Sequence, residues 1–245
     1  RILVLSDAAH SLGAVLNGKK TGVLADVTVF SFHAVKNLTT AEGGAISLYL
    51  PKEFDNEKVY SELNMKSLHG QSKDAFAKTQ LGNWRYDILE AGYKYNMTDI
   101  QASMGLVELD RYENDMLVRR KQIFDLYSEL LKEFSWAILP IYITEVKTSS
   151  FHVYLLRIKG ASENERDSII SEIFQRQVAV NVHFVPLPMM TYYKNLGYSI
   201  NDFPVTFSLY QNEISLPVYY NLSDEQIYEV IKAVAESVSK VFNIK

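Results

Sequence analysis

Residues 26–51, "DVTVFSFHAVKNLTTAEGGAISLYLP", hold the reading that decides the fold. "DVTVFSF", Asp26 to Phe32, is rich in β-branched and aromatic residues and reads as a buried strand. "GGAISLYLP", Gly43 to Pro51, reads as another, entered through glycines and ended by proline. The polar turn between them carries one lysine, Lys36. An isolated lysine is most often a solvated surface residue, so the meaning of this one rests on its surroundings.

Upstream, "RILVLSD" is a short apolar run that ends in an acid, Asp7, and reads as a third strand. The intervening "AAHSLGAVLNGKKTG" contains Gly13, Asn17, Gly18 and Gly22, turn chemistry sufficient for a short connection. Downstream, residues 52–90 are mixed, with helical patches and a polar stretch of no single period. From Thr98 the pattern turns helical. Ile100, Met104, Leu109, Tyr112, Met116, Ile123, Phe124, Tyr127, Leu130 and Leu131 recur mostly at three- and four-residue steps. One long helix, or two nearly continuous ones, is expected to about Lys132, capped by Thr98 or Asp99.

The composition then changes. "FHVYLLRIK" reads as a strand, "SENERDSIISEIFQRQ" as a helix with an acidic start, and "VAVNVHF" alternates as a strand does. "SDEQIYEVIKAVAESVSKVF" is an amphipathic helix with Ser223 and Gln226 at the capping-box positions. The expected organisation is an α/β fold in two parts, residues 1–119 and 120–245, joined by the long helix.

Bulk properties narrow the function. The chain has 245 residues, 47% of them hydrophobic, and a net charge of −4 without blocks of like charge. That balance argues against nucleic acid or an anionic membrane as partner and favours a small ligand. There is no cysteine, which removes disulfides and thiolate metal sites. No apolar run has the length of a membrane span, and a cytoplasmic location is expected. The chain opens on Arg1 and runs straight into "ILVL", as the middle of a longer protein would.

Asp7 and Lys36 both lie just past strand ends, where parallel α/β sheets place their binding crevice. Singly, a strand-terminal Asp is more often a cap or turn former. As a pair they suit pyridoxal 5′-phosphate (PLP), which needs an amine for its Schiff base and a carboxylate to keep its ring nitrogen protonated. Its phosphate takes hydroxyl and backbone donors, and Ser31 stands five residues before the lysine. Gly43 and Gly44 would let backbone approach closely, or act as turn formers. No G-x-G-x-x-G follows a strand, and the five histidines show no ligand spacing, so a dinucleotide dehydrogenase and a metal hydrolase are disfavoured.

"SDAAHSLGA", "GVLADVTVFSFHAVKNLTTAEGGAIS", "LHGQSKDAFAK", "AGYKYNMTDIQASMGLVELDR" and "DFPVTFSLYQNEISLPVY" resemble, in order, successive motifs of the DegT/DnrJ/StrS family of PLP-dependent sugar-nucleotide aminotransferases. The resemblance spans nearly the whole chain. It implies the aspartate aminotransferase-like fold (fold type I), with part of the large PLP-binding domain followed by the C-terminal α/β domain. By the same resemblance Lys36 is the Schiff-base lysine, Asp7 pairs with the pyridine nitrogen, His10 bonds the ring's phenolic oxygen, and Ser31 contacts the phosphate. His33 belongs to the lysine's motif and is expected to pack.

"GYKYNM" corresponds to the segment that family homodimers lend to the neighbouring active site, so Lys94 or Asn96 is expected at that phosphate. The two are exchanged relative to the common G-Y-N-Y-R/K-M wording. His183 in "VHFVPLP" matches a histidine on the sugar-binding side, while the histidine often found after that proline is replaced by Leu187 to Met189. Relatives with histidine in place of the lysine deoxygenate, so Lys36 favours amino transfer. The implied reaction moves an amino group from L-glutamate to a nucleotide-linked keto sugar, by likeness a 4-keto-6-deoxy sugar, for surface glycan or polysaccharide. An inactive fragment, or a degenerate relative, that keeps the fold and dimer surface without catalysis is the other reading of the same motifs.

Overall fold

A computed structural model describes residues 2–72 and 84–243. Lys73 to Lys78 of the "LHGQSKDAFAK" motif lie outside the described residues. The chain divides into two compact units, Arg1–Glu113 with Glu145–Ser150, and Asn114–Thr144 with Phe151–Lys245. The division falls between 113 and 114 rather than between 119 and 120, and residues 145–150 rejoin the first unit. Neither feature has a compositional signal, because the break lies within one continuous helical pattern.

The first unit contains β1 (Leu5–Asp7), β2 (Val15–Leu16), β3 (Lys19–Lys20), β4 (Val27–Ser31) and β5 (Gly44–Leu48). β1, β4 and β5 form a sheet in that order. β1 runs parallel to β4 with Asp7 opposite Val29, and β5 runs antiparallel to β4 with Gly44 opposite Ser31. Strand alternation turns Thr28 and Phe30 to a buried face, at 1% and 8% exposure. The same alternation turns Asp7, Val29 and Ser31 together to the other face. The connection after β1 is a hairpin, since β2 and β3 pair antiparallel around Asn17 and Gly18, with φ of 50° and 72°. Two successive positive φ values are what a two-residue hairpin turn demands, and Asn-Gly supplies them. β7 (Lys147–Thr148) adds to the other side of β2.

α1 (Asn56–Ser67) is capped by Asp55, whose side chain accepts from the N–H groups of Glu57 and Lys58. α2 (Asp99–Arg111) is capped by Thr98 in a reciprocal box with Gln101, so Thr98 and not Asp99 is the cap. A π-helical turn, Tyr112–Met116, leads into α3 (Leu117–Leu131). Of the two expectations, one long helix or two nearly continuous ones, the second is found, and the burial of the two helices differs sharply. α2 buries none of its side chains, whereas α3 buries Arg120, Ile123, Phe124, Tyr127 and Leu131.

The second unit is built on β6 (Ala137–Ile138), β8 (Tyr154–Ile158) and β9 (Glu213–Leu216), antiparallel in the order β6-β8-β9. Tyr154, Leu156 and Ile158 alternate into a core with Ile169 and Ile173 of α4 (Glu163–Gln175) and Ile227, Val234 and Val238 of α7 (Asp224–Phe242). α7 begins at the expected capping box of Ser223 with Gln226, and α4, expected as a helix with an acidic start, also begins at a capping box, Ser162 with Glu165. Two short helices, α5 (Thr191–Asn195) and α6 (Pro204–Tyr210), precede β9.

"VAVNVHF" does not form the expected strand. Asn181 makes a single bridge to Ser215, and then side chains capture the backbone donors. The N–H of Val182 donates to Asn181 Oδ1 at 2.8 Å and that of His183 to Glu213 Oε2 at 3.0 Å. With its donors so engaged the segment cannot extend a ladder.

No helix among the described residues is long and apolar enough to cross a membrane.

Candidate active site

The carboxyl ends of β1 and β4 lie side by side, joined by the Ala8 N–H to the Val29 carbonyl at 2.8 Å. Asp7 ends β1, and Ser31, two residues beyond Asp7's register partner Val29, ends β4 on the same face. Asp7 Oδ1 accepts from the N–H of Ala9 at 3.0 Å, which fixes the carboxylate at the turn leaving the strand. Ser31 Oγ accepts from the N–H of His33 at 3.4 Å, and Lys36 closes the next turn through its N–H to the His33 carbonyl at 2.9 Å. Lys36 is half-buried. Among the described residues neither its amine nor the Asp7 carboxylate has an ion-pair partner. His33 lies 3.6 Å from Glu42 on the exposed side of the turn.

The residue after the lysine holds this turn in place. Asn37 is 7% exposed, and its amide donates to the Ser150 carbonyl at 2.7 Å and to Tyr112 Oη at 3.3 Å. Tyr112 Oη in turn donates to the Leu12 carbonyl at 2.7 Å. Ser150 Oγ donates to the carbonyl of His10 at 2.5 Å. The turns after β1 and β4 are thereby tied to one another through residues 112 and 150. Sequence reasoning missed Asn37, Tyr112 and Ser150. Asn37 carries a signal, a polar amide directly after the lysine; Ser150 carries none, because its partners are more than a hundred residues away. Removing the amide takes its donor from the buried Ser150 carbonyl, so Asn37→Ala is expected to lower stability by about 1–3 kcal/mol. Urea unfolding measures this, and a shift below about 0.5 kcal/mol would contradict the tethering role.

Gly44 approaches its own neighbour strand, since a Cβ there would sit 2.7 Å from the Phe30 carbonyl. Its close approach is therefore to the sheet.

Lys94 and Asn96 sit on a different segment of the same unit. The backbone of residues 93–95 pairs with residues 66–69 through the N–H of Tyr93 to Lys66 O (2.7 Å), the N–H of His69 to Tyr93 O (2.8 Å) and the N–H of Tyr95 to Ser67 O (2.8 Å). Gly92 permits this, because a Cβ there would meet the Gly70 nitrogen at 2.2 Å. Lys94 and Asn96 are both exposed, beside the stacked rings of Tyr93 and Tyr95 at 4.9 Å.

His183 belongs to the second unit, where it borders a cleft of about 670 Å³ with Arg157, Phe184, Tyr210 and Glu213. Its Nδ1 is 2.7 Å from Ser215 Oγ, which donates to Glu213 Oε1 at 2.5 Å. Burial pushes the Glu213 carboxyl above the usual carboxylate range, against the donors Ser215 and His183 N–H, which lower it.

Three comparisons bear on the assignment. Residues 1–235 match the model of the DegT/DnrJ/EryC1/StrS aminotransferase family. The spore coat polysaccharide biosynthesis protein SpsC of Bacillus subtilis (strain 168) is 34% identical over 97% of this chain and 60% of its own length. A UDP-4-amino-4,6-dideoxy-N-acetyl-β-L-altrosamine transaminase of Campylobacter jejuni (strain 81-176) is 28% identical over 98% of this chain and 60% of its own. Among solved structures, the sugar aminotransferase candidate Spr1654 of Streptococcus pneumoniae superposes in its PMP-form with a TM-score of 0.91 at 47% identity, covering 98% of this chain and 60% of that one. The same protein is known in apo- and PLP-forms. The chain thus spans about three fifths of the length of these proteins. With the family match running through both units, and with a solved fold of nearly half identical sequence, the chain belongs to the DegT/DnrJ/EryC1/StrS aminotransferase family.

Proposed function

We propose that the protein acts as a PLP-dependent aminotransferase that moves an amino group from L-glutamate to a nucleotide-linked keto sugar. The observation that carries this reading is the pairing at the carboxyl ends of β1 and β4: a carboxylate and a hydroxyl share one face, and a half-buried lysine with no ion pair among the described residues follows in the next turn. The donor set fits the cofactor. A primary amine, a carboxylate and a hydroxyl are the groups PLP needs for its aldehyde, ring nitrogen and phosphate. When bound, PLP supplies a carbonyl that condenses with amines and a ring that accepts the electron pair released as a carbon–hydrogen bond breaks.

In this reading Lys36 would hold the cofactor's aldehyde carbon, and its Nζ, as the free amine, would carry the proton from the donor's α-carbon to the cofactor. Asp7 holds the proton on the ring nitrogen. Ser31 donates to the phosphate and His10 to the phenolic oxygen. In a homodimer, Lys94 or Asn96 of the exposed 93–96 segment is assigned to the neighbouring subunit's phosphate, and His183 to the sugar side. Support for a 4-keto-6-deoxy sugar comes from the transaminase relative, whose name contains a UDP-linked 4-amino-4,6-dideoxy sugar. Support for a role in surface polysaccharide comes from SpsC.

The test is turnover of full-length protein on a panel of nucleotide-linked keto sugars with L-glutamate as donor. Lack of transfer to every member would refute the reading. Asp7→Asn separates charge from structure, because an amide oxygen still accepts from the Ala9 N–H. A retained fold with turnover reduced about 10²-fold or more is expected, since the ring loses its electron-withdrawing form. A near-native rate would refute the role of Asp7.

A further inference from the structure

Tyr154, Leu156 and Ile158 of β8 point into the core of the second unit, so strand alternation turns Leu155 and Arg157 to the opposite face. Glu213 of β9 stands directly across from Arg157 in the antiparallel register and shares that face. Opposite charges so placed ordinarily pair. Here they do not, because both oxygens of the Glu213 carboxylate are engaged elsewhere. Oε1 accepts from Ser215 Oγ at 2.5 Å and Oε2 from the His183 N–H at 3.0 Å. Arg157 is half-buried, yet it has no hydrogen bond or ion pair among the described residues. The other arginines of this unit, Arg119, Arg120, Arg166 and Arg176, all donate to carbonyls or carboxylates. A guanidinium left without an acceptor is thus the exception in this unit and needs its own explanation.

Arg157 lines the cleft of about 670 Å³, whose walls are otherwise largely apolar: Ile138, Leu155, Phe184, Pro186 and Leu209. A guanidinium beside apolar walls is a strong place for an oxyanion. Its fork of donors matches phosphate or carboxylate with two parallel hydrogen bonds, and the surrounding side chains reduce screening by water. Glu213 and His183 are the other titratable groups on the cleft. The Glu213 charge is turned to its two donors, and burial already pushes its carboxyl above the usual carboxylate range, so its opposition to a bound anion is reduced.

We propose that this cleft binds a nucleoside diphosphate, with Arg157 taking oxygens of the diphosphate and the apolar walls receiving the base. The proposal rests on the reading of the substrate as a nucleotide-linked sugar, and it names the residue of this chain that grips the nucleotide part. L-glutamate also carries oxyanions. It is too small to cover the apolar walls, whereas a nucleotide joins a flat, weakly polar base to its anionic group and fits a cleft of this size.

The experiment titrates full-length, cofactor-loaded protein with UDP, dTDP and GDP by calorimetry, without turnover. At least one is expected to bind, and Arg157→Gln is expected to weaken it about tenfold or more, the loss of a charge-assisted hydrogen-bond pair. Absence of binding by all three, or equal affinity in the variant, would overturn the proposal. Arg157 has no internal acceptor to lose, so the variant is expected to keep its fold. Should it not fold, Arg157→Lys carries the test. The charge stays but the fork is lost, so weakening of about threefold or more is expected, and unchanged affinity would overturn the proposal. L-glutamate titrated in parallel distinguishes the two sources of oxyanion. Its affinity is expected to be unchanged by Arg157→Gln, and a loss confined to L-glutamate would overturn the nucleotide assignment. In turnover, Arg157→Gln is expected to raise KM for the sugar nucleotide about tenfold with a smaller change in kcat. If the native protein bound a nucleotide through Arg157 but transferred to no keto sugar, the aminotransferase reading would fail and the nucleotide site would stand. Transfer accompanied by nucleotide binding that ignores Arg157 would overturn the site alone.

Discussion

Lys36→Ala is expected to abolish amino transfer while leaving the fold intact. On the proposed reading the substitution removes both the amine that holds the cofactor and the base that moves the α-proton, and such proton transfer alone accounts for about 10²–10⁴ in rate. The fold has little stake in the side chain. Lys36 is half-buried without an ion pair among the described residues, and its turn is held by the neighbouring Asn37 amide. Such a position changes stability by about 0.5 kcal/mol or less. In full-length protein mixed with PLP, the visible absorption band of the covalently held cofactor, and its removal by borohydride, should be present in the native protein and absent in the variant. Lys36→Arg keeps the charge but not the nucleophile and should behave as the alanine variant does. Transfer at the native rate by either variant would show that position 36 is an ordinary surface lysine.

Phe124→Ala is expected to lower stability by about 3–5 kcal/mol, the range for removing a buried phenylalanine from a close-packed core. Phe124 is 1% exposed and meets three rings edge to face, those of Tyr142, Phe151 and Tyr154, with centroids at 5.3, 5.4 and 5.1 Å. Deleting the central ring strips contacts from all three at once, beyond the lost burial. The surrounding rings have little freedom to collapse into the gap. Tyr154 Oη is 2.9 Å from Ser128 Oγ, and the neighbouring Tyr127 Oη donates to the Pro217 carbonyl at 3.0 Å. Burial also pushes the Tyr127 and Tyr154 phenols well above their ordinary range, which keeps both neutral in the core. Domain stabilities are typically about 5–15 kcal/mol, so the variant should lose a large part of the second unit's margin. Urea unfolding followed by near-ultraviolet circular dichroism reads the effect, and a loss under about 1 kcal/mol would show that the ring cluster is not the centre of the core.

Local chemistry accounts for the elements that were legible beforehand. Asp26 to Phe32 reads as a strand because alternation buries Thr28 and Phe30, and that pattern depends on neighbours two residues apart. Ser223 marks a helix start because its short oxygen and the glutamine three positions later satisfy each other's backbone groups, and Thr98, read beforehand as one of two possible caps, does the same with Gln101. "VAVNVHF" misled for the opposite reason. Its alternation is that of a strand, but the acceptor taking the His183 N–H, Glu213, comes from thirty residues away. The helix from Thr98 shows the same limit in burial. Ile100, Met104 and Leu109 are exposed at 76%, 41% and 58%, although they belong to the same periodic pattern as the buried Ile123, Phe124 and Tyr127.

By itself the sequence determined which chemistry is on offer: an amine at 36, a carboxylate at 7, a hydroxyl at 31, and the strand ends that carry them. Each follows from residue type and short-range spacing, which any chain displays before it folds. Only the tertiary structure decided that Asp7 and Ser31 share a face, that Asn37 ties their turns together through Tyr112 and Ser150, and that Glu213 reaches His183 through Ser215. Those relations depend on strand register and on hydrogen bonds between residues distant in the chain, and they exist only once the backbone has brought them within about 3 Å of each other.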